Sequence, residues 1–218
     1  MILALDTSTA IASIALYDGS VSGEVTWRSG RGHSVELAAQ VASLMSLRRV
    51  EPEDLAAVAV AVGPGSYTGL RVGLAAGKGL CLALGIPMVG VCTLDVLAQA
   101  QAESCLPVVA LLDAGRQRFA TALYRPANGE LRRVGPIEGK RLPEILEGIS
   151  ETTLLCGDVE GLAAEAPLGR NGLVRVASPA SSLRRAGYLA EIAWRRFRKG
   201  DVEDPARVDA VYLNREVP

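Results

Sequence analysis

Two short stretches hold the residues that could do chemistry in this chain. The first is DTST, residues 6–9, which places a carboxylate and three hydroxyls directly after an apolar run. In a phosphate-binding hairpin, Asp6 could help to hold Mg²⁺ while Thr7, Ser8 and Thr9 face the phosphate. The same side chains can instead satisfy the amides of a turn. Because the turn has no glycine to let a phosphate approach its backbone, the structural interpretation is favoured over nucleotide binding.

The second stretch, GPGSYTGLRVG at residues 63–73, looks like a phosphate loop but matches neither common template. A Walker loop needs a second glycine five residues after the first, where Gly65 leads to Leu70. The dinucleotide pattern GxGxxG needs glycine where Thr68 stands. Pro64 and its flanking glycines instead predict a sharp, rigid turn from a strand into a helix.

The helix after this turn carries glycine at every fourth position. Gly69, Gly73 and Gly77 therefore share one helical face. Glycine inside a helix costs ~1 kcal/mol relative to alanine, so the pattern indicates that another element approaches closely. That element is either the chain's own sheet, which we favour, or a docked partner helix.

The sequence does not contain a full set of residues for a catalytic triad or for a metal site. His33 is the sole histidine, whereas a triad needs a nucleophile and an acid beside it and a metal needs several ligands. We expect His33 to make a polar contact near a helix start. The basic segment WRRFRKG, residues 194–200, suits a solvated helix end better than an RNA contact.

The composition is that of a packed globular protein. Hydrophobic residues make up 49% of the 218 residues, and the net charge is -1, so the basic excess typical of a stand-alone nucleic-acid binder is absent. The four cysteines form no CxxC pair and predict buried, reduced thiols. No signal peptide or apolar run of ~20 residues is present, and we expect a cytoplasmic protein that does not enter a membrane.

The chain repeats itself at half its length. An offset of 107 residues aligns Leu5 with Leu112, Asp6 with Asp113 and Tyr17 with Tyr124. Each copy begins with a predicted hairpin and a third strand, followed by alternating helices and strands, which indicates parallel crossovers. These features predict an α/β protein with a duplicated ribonuclease-H-like fold, the actin, Hsp70 and hexokinase (ASKHA) architecture, in two similar subdomains. Their predicted bounds are residues 1–104 and 105–218.

The turn and cap residues give approximate element limits. In the first half we predict helices at 34–49, 68–84 and 93–103 and strands at 56–62 and 87–91. In the second half we predict helices at 142–149, 159–165 and 182–199 and strands at 153–157 and 173–176. The predicted helix caps are the following: Ser34, Thr68, Thr93, Ser181 or Ser182, and the C-terminal Gly85.

Three motifs together resemble the bacterial TsaB (YeaZ) family. They are ILALDTST, the helix start HSVEL and GPGSYTGLRVG, in the family's order and over most of the chain. The resemblance implies a helper subunit of the machinery that makes threonylcarbamoyladenosine in tRNA, without catalytic residues or a cofactor of its own. It implies a TsaD-like catalytic subunit and a TsaE-like ATPase as partners, which would carry the ATP and the metal. It also implies tRNA contact through the complex, and a homodimer when the chain is alone.

The resemblance places partner or dimer contacts on two helices of the first half. By position, these are the helix that starts near Ser34 and the glycine-striped helix. The contact residues predicted on this basis are His33, Ser34, Leu37, Val41, Tyr67, Leu70, Arg71, Gly73 and Leu74.

The sequence departs from the family pattern in two places. The second hairpin reads DAGRQRF, with Gly115 and Arg118 where the family often has arginine and glutamate. The C-terminal motif reads AVYLNR, with Ala210 and Asn214 where the family pattern has other residues.

The alternative function is a stand-alone actin-like ATP-dependent phosphotransferase that uses Asp6. A peptidase ranks last because neither a metal pair nor a triad is present.

Overall fold

The computed structural model describes residues 1–29, 33–127, 129–159 and 172–213, with the side chains of His33 and Ser34 excepted. It contains two five-stranded sheets. The first sheet consists of β1 Ile2–Asp6, β2 Ile11–Tyr17, β3 Val21–Arg28, β4 Ala57–Gly63 and β5 Met88–Cys92. The second consists of β6 Val108–Asp113, β7 Arg118–Ala127, β8 Glu130–Arg141, β9 Thr153–Gly157 and β10 Val174–Val176.

Both sheets have the same topology. The first has the order β3-β2-β1-β4-β5 and the second the order β8-β7-β6-β9-β10. In each, the first three strands form an antiparallel meander. The fourth strand pairs in parallel with the first, and the fifth pairs in parallel with the fourth. The same order and strand directions in both halves confirm the predicted duplicated, ribonuclease-H-like α/β fold.

The helices pack on the sheets because their apolar side chains are buried against the apolar side chains of the strands. They are α1 His33–Arg48, α2 Tyr67–Leu84, α3 Thr93–Gln99, α4 Leu142–Glu147 and α5 Ala186–Phe197. Helices α1 and α2 pack on the face of the first sheet formed by Leu3, Leu5 and Ile14. Helix α5 packs on the opposite face.

The chain divides into two compact units. The first unit consists of Met1–Val96 and Arg184–Tyr212, and the second of Leu97–Leu183 and the residues from Leu213 onward. This division differs from the predicted boundary between residues 104 and 105. The reason is that α5 buries Leu189, Ala190 and Ala193 against the first sheet, so the chain returns to the first unit after the second is complete.

Several local predictions are confirmed and others are corrected. Gly85 ends α2 with a φ of 67° and donates to the Cys81 carbonyl, as predicted. The N-cap of α2 is Ser66, whose hydroxyl accepts from Gly69 N, and not Thr68. Thr93 does not cap α3, since its hydroxyl has no hydrogen-bond partner among the described residues.

The start of α5 is satisfied by side chains that lie far away in the sequence. The Ser13 hydroxyl accepts from Ala186 N at 3.0 Å, and Glu24 accepts from Gly187 N at 2.9 Å. Arg185 is the N-cap residue and makes no side-chain cap. The predicted cap at Ser181 or Ser182 is therefore wrong.

The remaining predictions have mixed outcomes. The helix predicted over 159–165 lies almost wholly outside the described residues. The side chain of Ser34, the predicted cap of the first helix, also lies outside them. Cys81 and Cys156 are buried, but Cys105 is exposed, so burial of all the thiols is corrected. None of the described helices is long and apolar enough to cross a membrane.

Candidate functional site

The glycine-rich loop is a turn held against the first hairpin of the chain. Gly63 has a φ of 108°, a conformation that glycine adopts without a Cβ penalty. Ser66 N then donates to the Ser8 carbonyl at 2.6 Å, while the Ser66 hydroxyl caps α2. The loop therefore positions the first turn of α2 beside the β1–β2 turn.

The glycine face of α2 is in contact with the chain's own hairpin and sheet. A Cβ on Gly69 would lie less than 3.0 Å from the Thr7 carbonyl oxygen, and one on Gly73 would lie 2.5 Å from Thr7 Oγ1. A Cβ on Gly77 would lie 2.7 Å from Val60 Cγ1. Packing on the parent sheet is thus confirmed, and the alternative of a partner helix on this face is wrong.

The DTST hairpin uses most of its polar side-chain atoms in hydrogen bonds within the chain, although Asp6 Oδ2 is buried without a hydrogen-bond partner among the described residues. Asp6 Oδ1 accepts from Ser8 N at 2.9 Å and from Ser8 Oγ at 2.6 Å, and Thr7 Oγ1 donates to the Gly69 carbonyl at 2.8 Å. Gly65 lies so close that a Cβ there would meet the Ser8 carbonyl. These contacts occupy Ser8 N and the hydroxyls of Thr7 and Ser8, which a phosphate would otherwise need as donors, and this favours the structural role of residues 6–9.

Asp6 is a buried acid of the first unit with a raised pKa. Its side chain is fully buried, and burial raises its pKa, an effect that the nearby Arg184 guanidinium and the bonds from Ser8 partly oppose. Arg184 is itself buried, and it donates to the Thr9 hydroxyl. The equivalent residue of the second half, Asp113, is exposed, so the two copies of this aspartate have different surroundings.

Four of the nine predicted partner-contact residues belong to the interior of the first unit. Leu37, Leu70 and Leu74 are 2%, 0% and 5% exposed, and Gly73 is buried against Thr7. Their side chains pack inward because they lie on the helix faces that meet the sheet. These four residues were predicted to contact a partner, and the structure assigns them to the core instead.

The other predicted contacts have different positions. Tyr67 is 55% exposed and Arg71 is exposed, whereas Val41 is half-buried at the edge of the core. His33 begins α1, and the side chains of His33 and Ser34 lie outside the described part of the chain. Contact of any of these residues with a partner stays a prediction.

The outward side of α1 and α2 carries few charges. Surface helices normally expose charged and polar side chains. Here the exposed positions of the described part of α1 and of α2 include only two charged residues, Arg48 and Arg71. We call the remaining exposed positions the uncharged helix face: Val35, Ala38, Ala39, Ala42, Ser43, Ser46, Leu47, Tyr67, Thr68, Ala75, Gly79, Leu82 and Ala83.

This face includes large apolar side chains in contact with solvent. Val35 and Leu47 are each 77% exposed, and Leu82 is 72% exposed. Large contiguous apolar surfaces on a folded protein mark interaction sites. This face was not predicted because the glycine stripe is the stronger signal in the sequence, although the runs of alanine and serine in α1 also indicate it.

The basic segment at the end of α5 is structural in its main contacts. Arg196 binds Asp201 at 2.7 Å and Glu203 at 2.8 Å, and it donates to the Gly90 carbonyl. Trp194 packs against Tyr17 with a ring separation of 5.9 Å. No group of three or more potential metal ligands occurs among the residues that the structure describes.

Known proteins resemble the chain over most of its length. It is 36% identical over 151 residues to the tRNA threonylcarbamoyladenosine biosynthesis protein TsaB of Bacillus subtilis, covering 69% of this chain and 66% of that one. It is 28% identical over 223 residues to the TsaB of Escherichia coli, covering 99% and 95%. The structure of YeaZ from Pseudomonas aeruginosa matches with a TM-score of 0.81 and 25% identity, over 97% of this chain and 99% of that one.

The chain belongs to the TsaB family. The family model for TsaD, described as tRNA N6-adenosine threonylcarbamoyltransferase, also matches it, over residues 13–146. That match runs from β2 into α4 and so includes the glycine-rich loop and both helices of the uncharged face. The resemblance inferred from DTST, HSVEL and GPGSYTGLRVG is confirmed.

Proposed function

We propose that this TsaB-family chain is a non-catalytic subunit of the machinery that forms threonylcarbamoyladenosine at position 37 of tRNA. Its role is to bind and position a TsaD-like catalytic subunit, together with a TsaE-like ATPase. ATP and a metal belong to those partners in this proposal, and tRNA is reached through the complex. The names of the Bacillus subtilis and Escherichia coli relatives support a role in this pathway.

The observation that carries the docking role is the uncharged helix face. It lies on the outer side of α1 and α2, whose inner sides complete the core of the first unit. A surface of alanine, serine and large apolar side chains lets another helix pair approach closely and release water from apolar area. We expect two copies to associate through the same face when the catalytic subunit is absent.

The sequence supports a non-catalytic role. TsaD-like enzymes carry an HxxxH pair, and one histidine cannot form it. The purified chain should therefore not turn over threonylcarbamoyl-adenylate by itself, and turnover by the chain alone would overturn this part of the proposal.

Ala75→Arg is the test variant for docking. Ala75 is exposed in the middle of α2, and arginine is a good helix former, so the fold should persist. An unpaired charge buried in an interface costs about 3 kcal/mol or more. We therefore expect at least a ~100-fold rise in the Kd for the TsaD-like subunit, measured by titration calorimetry and by light scattering after size exclusion.

The control is Ala114→Arg, the same change at an exposed position of the second unit. It should leave the Kd at the wild-type value. If Ala75→Arg also binds with the wild-type Kd, or if wild type forms no complex at all, the uncharged helix face is not the docking surface.

A further inference from the structure

The last described part of the chain returns to the start of α2. We call residues 201–212 the C-terminal segment. Glu203 pairs with Met88 at the edge of the first sheet, with its N–H donating to the Met88 carbonyl at 2.8 Å. Val208 is 2% exposed in the core beneath α2. The segment is thus anchored in the first unit along its length.

The glycine-rich loop has a shape that admits this segment. Val211 N donates to the Val62 carbonyl at 2.7 Å, next to Gly63. A Cβ on Gly63 would lie 2.5 Å from the Val211 carbonyl oxygen. The absence of a side chain at Gly63 therefore lets the segment cross the end of β4 and bring Tyr212 to the first turn of α2.

Tyr212 forms a cluster with two residues of α2. Its ring centroid lies 5.3 Å from that of Tyr67, with the ring planes at 34°. The Arg71 guanidinium lies 3.9 Å from the Tyr67 ring centroid. The Tyr212 side chain is also the main cause of the raised pKa of Arg71. The ring contact and the cation over a ring hold the three side chains in one arrangement.

This cluster is exposed and continuous with the uncharged helix face. Tyr67 is 55% and Tyr212 41% exposed, and Thr68 and Ala75 of the face follow Tyr67 along α2. Tyrosine and arginine are enriched among the few residues that dominate the energy of protein interfaces. Because the side chains are already ordered against each other, little side-chain entropy is lost on docking.

We propose that Tyr212 of the C-terminal segment, clustered with Tyr67 and Arg71, contacts the TsaD-like catalytic subunit at the N-terminal end of the α2 interface. This inference rests on the proposed function and extends the docking site from two helices to the chain's C-terminal segment. The fitting partner surface presents an apolar or aromatic side chain to the rings and a carboxylate to Arg71. A nucleic-acid base could also stack on tyrosine, but the cluster holds a single cation and the chain's net charge is -1, which favours protein over a phosphate backbone.

The experiment compares Tyr212→Ala with Tyr67→Ala, Ala75→Arg and a control, Val202→Ala. Val202 is 37% exposed in the same segment and is not part of the cluster. For each variant, the Kd for the TsaD-like subunit is measured by titration calorimetry, and tryptophan fluorescence in urea reports on folding. We expect Tyr212→Ala and Tyr67→Ala each to raise the Kd at least about tenfold. The double variant should raise it by less than the product of the two, and Val202→Ala should match wild type.

The outcomes separate this inference from the proposed function. If Ala75→Arg abolishes binding while Tyr212→Ala binds like wild type, the inference fails and the docking face stands. If neither variant changes the Kd, the proposed docking face fails and this inference fails with it. If Tyr212→Ala leaves the Kd unchanged but weakens tRNA binding by the assembled complex, the cluster is an RNA contact and the inference is overturned. If Tyr212→Ala shifts the urea midpoint, Tyr212→Phe, which keeps the ring, must restore both the midpoint and most of the affinity.

Discussion

Alanine substitutions along α2 test which face of this helix lies against the chain's own core. Gly77 and Gly79 are two positions apart in the middle of the helix, so each alanine gains the same helix propensity, ~1 kcal/mol. Gly79 is exposed, and a Cβ there would meet nothing within 4 Å. We therefore expect Gly79→Ala to stabilise the first unit by ~1 kcal/mol.

Gly77→Ala has the same gain in helix propensity, but its new methyl group also clashes with side chains in the core. Its Cβ would lie 2.7 Å from Val60 Cγ1 and 3.0 Å from Met88 Cε, and both residues are fully buried. Overpacking of this kind costs about 1–3 kcal/mol. Since the propensity gain cancels between the two variants, Gly77→Ala should be about 1–3 kcal/mol less stable than Gly79→Ala.

Gly69→Ala should be the most damaging of the three. Its Cβ would meet the Thr7 carbonyl, which is backbone and cannot rotate away as a side chain can. The hydrogen bond from Thr7 Oγ1 to the Gly69 carbonyl would also be strained, and such bonds contribute about 1 kcal/mol. We expect a net loss of more than about 2 kcal/mol.

The assay is urea unfolding followed by tryptophan fluorescence. The chain has two tryptophans, Trp27 and Trp194, and both lie in the first unit, so the signal reports on the unit that contains α2. A change in midpoint at constant slope measures the change in stability. Equal midpoints for Gly69→Ala, Gly77→Ala and Gly79→Ala would refute the assignment of the glycine face to the interior.

The remaining predictions concern buried and capping groups of the first unit. Leu74→Arg should not fold, because burying an unpaired charge costs about 3–5 kcal/mol; a native fluorescence spectrum would contradict this and reopen Leu74 as a surface contact. Burial raises the folded-state pKa of Asp6, so its contribution to stability is present below its ordinary pKa, about 3.9, and is lost as the pH rises through the folded value. Asp6→Asn should therefore gain stability relative to wild type as the pH rises above the ordinary pKa of an aspartate in urea titrations, and a pH-independent difference would argue against a buried titrating carboxyl. Glu24→Gln should cost about 1–2 kcal/mol, because Glu24 accepts from Arg185 and from Gly187 N at the start of α5; an unchanged urea midpoint would show that these bonds contribute nothing.

Much of the fold could be predicted from local patterns. Alternating apolar runs, the turn residues between them and the half-length repeat predicted both meanders and the parallel strands, because strand and helix periods are properties of neighbouring residues. The strand at 153–157 was predicted with its observed bounds. Gly85 was identified as a helix end because a left-handed residue is a local requirement.

The sequence did not show which way each helix faces or what lies beside its ends. The glycine stripe predicted a close approach, but only the packing of α2 on the β1–β2 turn shows that the approaching element is Thr7 and not a partner. The N-terminal amides of α5 are satisfied by Ser13 and Glu24, which are more than 160 residues away in the chain, so no local cap was there to be found.

For the candidate site, too, the local sequence determined some features and the tertiary structure determined the others. The motifs alone identified the family and drew attention to α1 and α2, since glycine, proline and small residues at fixed spacing are readable along the chain. Burial separated Leu37, Leu70 and Leu74 from the exposed positions of the same helices, because a residue's neighbours across a sheet depend on the path of the whole chain. The ring contact between Tyr212 and Tyr67 joins residues 145 positions apart, and only the tertiary fold brings them together.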